Sequence, residues 1–406
     1  MPNVVFVAPF AMASTVRFVR AAASLFGVRL GVISQEPPER LPIDLRQQLH
    51  GFSQTDDALG VDSLLEAVKS IERQLGSVDS LISVLEPLQV PLAMVRERLR
   101  IRGMDAATAQ NFRDKATMKE VFAAHDLPCA RHRLCSDATQ AFTFARSAGY
   151  PLVGKPPAGA GAKTTAKLAN DSELQAFLVS TKPAVGQEVL LEEFVQGREF
   201  SFDSITLHGA EIFHNISDYH PTPLLVLENQ WIQWGVVLPR HIDGPPYAKI
   251  REVGPRALQA LGMWTGMSHM EWFQRPDGSI AIGEVGARPP GAQFMTLMSY
   301  AHDCDMYRLW AQLMIYEQVT PPVRSHAAGA AYLRGQGTGR VKAVHGLDQV
   351  QALIGAVVVE SKLPQIGQPQ AESYEGEGYV IVRHQDTSVV EAALQTIVSN
   401  LRVELG

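Results

Sequence analysis

Cysteine is scarce in this chain, which has 406 residues and only three cysteines, Cys129, Cys135 and Cys304. An odd and sparse set cannot form a disulfide framework, so the class of small disulfide-rich secreted proteins is excluded and a cytoplasmic location is expected. Cys129 and Cys135 flank His132, but three ligands in a short connection do not complete a structural zinc site.

The sequence also lacks long apolar runs and concentrated positive charge. No apolar stretch approaches the length of a transmembrane helix, and the first residues lack the basic region of a signal peptide. The net charge is −6, and lysine and arginine form no stripe, which argues against nucleic acid and membrane as partners. The basic run from Arg96 to Arg102 fits the solvated face of a helix. A soluble globular protein with two or three domains is expected.

The first hundred residues alternate short apolar runs with helical patterns. The predicted elements are, in chain order, a strand at Val4 to Ala8, a helix at Arg17 to Leu25, a strand at Val28 to Ser34, a helix at Leu64 to Leu75 and a strand at Ser80 to Leu85. This alternation predicts a parallel sheet covered by helices, and no dinucleotide fingerprint supports NAD. Glu86 follows the last strand, where such sheets bind ligands, so it is a candidate for holding a substrate amine; an ordinary loop acid is the alternative.

Two carboxylates mark a predicted β-hairpin in the second half of the chain. The apolar segments Gly266–Phe273 and Ser279–Glu284 flank an Arg-Pro-Asp-Gly turn, which places Glu271 on one arm and Glu284 on the other. Such oxygen ligands suit Mg²⁺ when substrate phosphates supply the remaining positions, although an exposed hairpin without a ligand is the alternative. Arg288 lies just beyond and could grip an anionic oxygen.

A lysine and a small-residue loop form a second cluster upstream. A short apolar strand delivers Lys155, and the loop that follows contains Gly159 and Gly161, whose backbone N–H groups could approach phosphates closely. The loop is not a Walker A motif, because Pro157 and Ala162 stand where that motif requires glycine.

A third pattern resembles a nucleotide hinge between two strands. The first strand ends in Glu192, Glu193, Phe194 and Val195, and after a glycine turn the second strand carries Glu199. A base can pair with the backbone of such a hinge while an acid beyond the turn accepts ribose hydroxyls.

Over roughly residues 110 to 320, the order of these motifs resembles the ATP-grasp superfamily. Lys115 adds a further match, since it opens an amphipathic helix that stops before Pro128. The resemblance implies that Lys115 and Lys155 contact ATP phosphates and that the hinge holds adenine, with Glu199 as the ribose acid. It also implies the following roles near the hairpin: Glu271 and Glu284 as magnesium ligands, and Arg288 as the arginine that stabilises the transferred phosphoryl group or its acyl phosphate.

The histidine two residues before Glu271 resembles the L-amino acid ligase branch of that superfamily. On a strand His269 and Glu271 share a face, so the imidazole could bond a metal ligand or the substrate; a satisfied packed histidine is the alternative. Gly286 departs from the family, which commonly has asparagine there, and this leaves the number of bound metals open.

A tyrosine and four tryptophans that lie between the hinge and Glu284 have a role that is open at this point. They either line a pocket for an apolar or aromatic partner or belong to the core. These residues are Tyr219, Trp231, Trp234, Trp264 and Trp272.

The resemblance implies an α/β (α+β ATP-grasp) fold in three parts. The expected parts are an N-terminal Rossmann-like domain at 1–108, an ATP-grasp domain at 109–320 with a lid subdomain at about 130–195, and a C-terminal module at 321–406. The implied activity joins a small-molecule carboxylate to an amine through an acyl phosphate, with ATP and Mg²⁺ (Mn²⁺ as the alternative ion), and a homodimer is expected. The alternatives are a carboxyphosphate- or formyl-phosphate-forming enzyme, resembling biotin carboxylase or the purine-pathway carboxylases, and a non-catalytic ATP-binding scaffold.

Overall fold

The N-terminal part is a parallel four-stranded sheet with helices packed on it. The computed structural model describes residues 1–158, 165–229, 231–373 and 375–406. The sheet order is β3-β2-β1-β4, and Val4 to Val7 in the central strand are fully buried because helices cover both faces. The elements are β1 Asn3–Val7, α1 Ala13–Ala23, β2 Arg29–Ser34, α2 Ile43–Arg46, β3 Gly51–Gln54, α3 Val61–Leu75, β4 Ser80–Ile82 and α4 Gln89–Leu99, with 3₁₀ turns at Pro38–Arg40 and Glu86–Leu88.

The predicted solvated face at the basic run is wrong for Arg96. This side chain is buried, and it donates from Nε to the carbonyl oxygen of Leu81 at 3.0 Å and from Nη1 to that of Met104 at 3.1 Å. Arg98, two residues further along the same helix, is exposed and pairs with Asp62. The difference arises because α4 packs its Arg96 side against β4, where the guanidinium satisfies otherwise buried carbonyls.

A small antiparallel sheet with two helices forms a separate layer in the middle of the chain. Its order is β5-β8-β6-β7, and its core includes Phe144 and Phe177 from the two helices. The elements from here to the hinge are α5 Ala106–Arg113, α6 Lys115–Ala124, β5 His132–Cys135, α7 Ala138–Ala148, β6 Leu152–Lys155, β7 Ala166–Leu168, α8 Asp171–Thr181 and β8 Val189–Glu193.

The largest sheet has eight strands in the order β13-β12-β9-β10-β11-β14-β18-β17. The first strands of this sheet and the helices between them are, in chain order, β9 Arg198–Leu207, β10 Ala210–His220, α9 Pro223–Glu228, β11 Trp234–Leu238, a 3₁₀ turn Pro245–Tyr247, α10 Ala248–Leu261, β12 Gly266–Gln274 and β13 Ile280–Gly286. The remaining elements are α11 Phe294–His302, α12 Met306–Tyr316, β14 Ala327–Leu333, β15 Gly335–Gln336, β16 Val341–His345, α13 Leu347–Ile354, a 3₁₀ turn Gly355–Val357, β17 Val358–Lys362, β18 Gly378–His384, α14 Thr387–Asn400 and β19 Arg402–Leu405. Because β14 pairs with β11, the C-terminal strands β14, β18 and β17 extend the sheet that carries the hinge and the hairpin.

The predicted hairpin is present as β12 and β13, which are antiparallel neighbours. Glu271 lies opposite Glu284 in register, next to a β-bulge. The adjacent side chains Met270 and Trp272 are fully buried on the opposite face, so the alternation of the strand directs Glu271 away from the core. The apolar back of the hairpin thus fixes where its carboxylates lie.

Within the described residues, no helix combines the length and the apolar character needed to cross a membrane.

Candidate active site

A cavity of about 520 Å³ gathers most of the residues that the sequence singled out. It lies where the small middle sheet faces β9, β12 and β13, and Glu86 of the N-terminal part reaches it as well. Gly159 and Gly161, the predicted phosphate loop, lie outside the described residues. The predicted residues that line the cavity are Glu86, Lys115, Lys155, Glu192, Glu193, Phe194, Val195, Glu199, His269, Glu271, Glu284 and Arg288.

Of the two predicted phosphate lysines, Lys115 is buried and Lys155 is half-buried, and each pairs with a carboxylate. Asp114 caps α6 by accepting from the Thr117 N–H, and this helix start places Lys115 Nζ 2.8 Å from Glu284 Oε1. Lys155 Nζ lies 2.9 Å from Glu192 Oε1. Burial opposes the charge on Lys155, but Glu192 and then Glu284 outweigh it, so the pKa of Lys155 is raised. Both lysines thus line the cavity with their Nζ atoms paired to carboxylates.

A third lysine, Lys119, was not assigned a role from the sequence. Its side chain is completely buried, and Nζ lies 3.3 Å from Glu192 Oε1 and donates to the Gly283 carbonyl oxygen at 3.3 Å. Lys119 thereby ties α6 to the hinge strand and to the residue before Glu284. The available signal was its spacing of four residues from Lys115, which puts both lysines on one helix face.

The hinge residues line the cavity, and the Glu193 side chain is bound to two arginines. The Glu193 carboxylate accepts from Arg131 Nε at 2.6 Å and from Arg275 Nη2 at 2.9 Å, so it joins the small sheet to the hairpin turn. The Phe194 N–H donates to the Pro151 carbonyl oxygen at 3.1 Å. These bonds hold the hinge in place, and any nucleotide contact of Glu193 falls to its main chain.

Three carboxylates, Glu199, Glu271 and Glu284, lie side by side on the adjacent strands β9, β12 and β13 and line the cavity. Burial raises the pKa of Glu199 well above its ordinary value, and the charge of Glu271 raises it further. Burial also raises the pKa of Glu284, although Lys115 opposes that shift. For Glu271 the burial is outweighed by His269, and the pKa of this carboxyl is lowered. Closely placed carboxylates of this kind repel one another until a cation is bound.

The donor set at the hairpin fits a magnesium–nucleotide complex better than a closed protein metal site. Glu271 and Glu284 offer hard oxygen ligands from neighbouring strands, the type that Mg²⁺ takes in small number from proteins. Among the residues that the structure describes, no group of three or more His, Cys, Asp or Glu is arranged to hold a metal ion, so substrate oxygens would complete the coordination. Gly286 lines the same cavity but offers no side-chain ligand atom.

His269 sits between two carboxylates, one of which sequence reasoning missed. Nδ1 lies 2.5 Å from Asp203 Oδ1, and Nε2 lies 3.7 Å from Glu271 Oε1. Asp203 is opposite His269 in the β9–β12 register and also accepts from Ser201 Oγ at 3.0 Å. Burial lowers the pKa of His269, but Asp203 and Glu271 overcome this and raise it to about 9. The imidazole is therefore protonated and oriented at neutral pH.

Arg288 and Glu86 form a buried ion pair at the end of the cavity next to the N-terminal part. Arg288 donates from Nε and Nη2 to Glu86 Oε2 at 3.1 and 2.9 Å, and Arg113 Nη1 donates to Oε1 at 3.2 Å. Glu86, predicted to hold a substrate amine, is thus already shared by two guanidinium groups. The two guanidinium groups at this end of the cavity have the chemistry that binds an anionic substrate group.

Of the five aromatic residues, two line the cavity, one belongs to the core and two are exposed. Tyr219 and Trp234 line the cavity, and only 8% and 2% of their surfaces are exposed. Trp272 is core, fully buried and stacked on Phe200 at 4.6 Å between ring centroids. Trp231 and Trp264 are 58% and 61% exposed and do not line this cavity.

Residues 114–202 match a protein family described as "Carbamoyl-phosphate synthase L chain, ATP binding domain". Two curated relatives span three quarters of the chain. One is the uncharacterized protein y4rH of Sinorhizobium fredii, 24% identical over 311 residues, 75% of this chain and 63% of that protein. The other is an L-arginine-specific L-amino acid ligase of Bacillus subtilis, 22% identical over 313 residues, 75% of this chain and 73% of that ligase.

The whole fold is similar to a solved L-amino acid ligase from Bacillus licheniformis. The TM-score is 0.78, with 16% identity over 100% of this chain and 99% of that one, and at this identity the likeness shows the fold. Taken with the family match and the ligase relative, it supports an ATP-grasp superfamily enzyme that resembles the L-amino acid ligases. The fold class and the resemblance expected from the sequence are confirmed.

Proposed function

We propose that the protein is an ATP-dependent ligase that joins a carboxylate to an amine through an acyl phosphate. One observation carries the proposal: one cavity is lined by two lysines, two carboxylates from neighbouring strands and an arginine. The lysines suit phosphate oxygens, the carboxylates suit the cation that accompanies ATP, and the arginine suits a carboxylate. The ligase relative supports the same reaction class.

In this proposal each charged group of the chain has a separate task. Magnesium-bound ATP supplies the phosphoryl group and the Lewis acidity that offsets its charge. Glu271 and Glu284 hold the nucleotide complex, and Lys115 and Lys155 exchange their carboxylate partners for phosphate oxygens. Positioning and electrostatic stabilisation of this kind account for most of the catalysis in phosphoryl transfer.

Arg288 directs the carboxylate substrate toward the transferred phosphoryl group. A carboxylate oxygen attacks the γ-phosphorus, the bond to the β-phosphate oxygen breaks, and ADP leaves. The amine nitrogen then attacks the acyl carbon, phosphate departs with the bonding electron pair, and the nitrogen loses a proton. His269 lies beside Glu271 as a cation and offsets the negative charge that gathers there. The small middle sheet, with the hinge and Lys155, would exclude water from the acyl phosphate.

The test is ADP and phosphate release from ATP and Mg²⁺ across pools of amino acids, other carboxylates, amines and bicarbonate, with products weighed by mass spectrometry. The expected result is turnover that requires both a carboxylate and an amine, with a product lighter than their sum by one water. Glu120→Gln is a matched control for later carboxylate variants, since Glu120 is exposed on the same helix as Lys115.

The other outcomes of this assay separate the alternatives. Turnover stimulated by bicarbonate or formate without a second carboxylate would identify the carboxyphosphate- or formyl-phosphate-forming reaction. Nucleotide binding without turnover in every pool would identify a scaffold, for which the absence of a ligand side chain at Gly286 is the motivating feature.

A further inference from the structure

A run of aromatic rings begins at His269 and continues along one side of the cavity. The His269 ring packs edge-on against Phe294 with centroids 5.9 Å apart, Phe294 meets Tyr219 at 5.8 Å, and Tyr219 stacks on Trp234 at 6.4 Å. Phe294, Tyr219 and Trp234 line the cavity and are called the aromatic wall below. The wall therefore starts beside the proposed reaction centre and leads away from it.

Helix α9 closes the same side with aliphatic side chains. Leu224, Leu225 and Val226 line the cavity, and Leu225 is 42% exposed. The buried Arg334 donates from Nη1 to the Val226 carbonyl oxygen at 2.6 Å and to that of Asn229 at 3.2 Å, which satisfies carbonyls at the end of this short helix. The C-terminal part of the chain thus fixes the aliphatic half of the compartment.

We propose that one substrate of the ligase is an amino acid with a large apolar side chain, which binds between the aromatic wall and α9. This inference rests on the proposed function and names the substrate class of the same site. Arg288 would hold the carboxylate of the amino acid, and the side chain would extend along Phe294 toward Trp234. Burying an aromatic or branched side chain there removes from water the apolar surface of the ligand and of Leu225, while the rings of the wall, at most 8% exposed, supply close packing.

A charged side chain would find poor partners along this route. Glu228 also lines the cavity, but it is exposed and is the last residue of α9. Bicarbonate and formate have no side chain for the compartment to bind. The lining therefore favours bulky apolar amino acids over small, charged or one-carbon substrates.

The first measurement compares kcat/KM for glycine, alanine, leucine, methionine, phenylalanine, arginine and glutamate as the varied substrate. We expect the best of leucine, methionine and phenylalanine to exceed alanine by about 10-fold or more, the scale on which one or two methylene groups are distinguished. A best substrate among glycine, alanine, arginine and glutamate would overturn the inference while leaving the ligase intact. Absence of turnover with every pool would count against the proposed function instead.

The second measurement uses thermal shift with ADP, Mg²⁺ and a single amino acid, and so needs no turnover. L-Phenylalanine should raise the unfolding midpoint more than alanine or arginine does, since a ligand that binds only the folded state stabilises it. Equal shifts for all three, or the largest shift with arginine, would overturn the substrate class whether or not ligation occurs.

Leu225→Asp tests the compartment itself. Because Leu225 is half-exposed, the variant should fold, and it should lower kcat/KM for phenylalanine by about 10-fold while alanine changes less than about 3-fold. Leu225→Met should restore the preference. Leu353→Asp, at another exposed leucine near a helix end, is the matched control. An equal loss for both substrates, with an unchanged ratio, would contradict a specificity role.

Discussion

The two sides of the cavity differ in what holds them together. On the charged side, Lys115, Lys155 and Arg288 are each bound to a carboxylate, so every group depends on a partner from another element. On the other side, the aromatic wall holds its place by packing, with Trp234 stacked on Tyr332 at 4.1 Å, and α9 is held by hydrogen bonds from Arg334 to its last carbonyls. Burying charge costs free energy unless it is paired, whereas burying rings is favourable in itself.

Because of this difference, the charged side is suited to catalysis and the aromatic side to the selection of substrates. The charged side is arranged for ligands that replace its internal partners, since phosphate and cation would take over the pairs that the lysines and glutamates now make. The aromatic side needs no exchange of partners and can only accept or reject shape and polarity. Substitutions on the charged side should therefore change the rate for every substrate, and those on the aromatic side should change the order of substrates.

Glu284→Gln should have the largest effect, because it removes one hairpin carboxylate and the partner of Lys115 together. We expect kcat to fall by on the order of 100-fold or more for all substrates alike, as for loss of a group that stabilises transition-state charge. The measurement is phosphate release, with circular dichroism to verify folding and Glu120→Gln as control. A rate within about 3-fold of wild type would refute the assignment of Glu284.

Arg288→Ala should come next, since it removes the guanidinium proposed to hold the carboxylate. We expect kcat/KM for the carboxylate substrate to fall by about 100-fold, while the dissociation constant of ADP changes less than about 3-fold. Arg256→Ala, at an exposed position of α10, is the matched control. Equal losses of ligation and nucleotide affinity would mean that Arg288 acts through the nucleotide site or the fold.

The sequence predicted local structural features, but it did not predict contacts between residues that are distant in the chain. Strand and helix periodicity, together with the Arg-Pro-Asp-Gly turn, predicted the parallel sheet and the hairpin, because those signals lie within a few residues of one another. The motif spacing also predicted the residues that the cavity brings together.

The partners of those residues could not be predicted from the sequence, because they come from distant parts of the chain. Asp203 meets His269 across 66 positions, and Lys119 meets Gly283 across 164. No local pattern marks such pairs, and the burial of Arg96 depends in the same way on how one helix packs. A single sequence shows which side chains are available, and the packing of elements decides which of them are paired.

Glu199→Gln should stabilise the protein without ligand in a way that depends on pH. Burial and Glu271 raise the pKa of Glu199 in the folded state, so wild-type stability falls as pH rises above the ordinary carboxyl pKa, where only the unfolded chain ionises freely. The variant avoids this loss. Its unfolding midpoint should exceed that of wild type by about 2 °C at pH 7.5 and match it at pH 4, measured with EDTA and no nucleotide. A larger gain at pH 4 than at pH 7.5 would contradict the raised pKa.

Gly286→Asn should have the smallest effect, and it tests whether a further ligand atom on the charged side strengthens cation binding. An added Cβ would meet the Arg288 side chain at 3.5 Å or more, which is ordinary contact, so the variant should fold normally. An asparagine oxygen beside Glu271 and Glu284 would add a ligand atom for the cation, and we expect the Mg²⁺ concentration for half-maximal activity to fall by about 3-fold. Gly286→Ala, which adds bulk without an oxygen, should leave that concentration unchanged. If both variants change the Mg²⁺ dependence alike, the effect comes from bulk near Arg288, and the charged side binds its cation without regard to position 286.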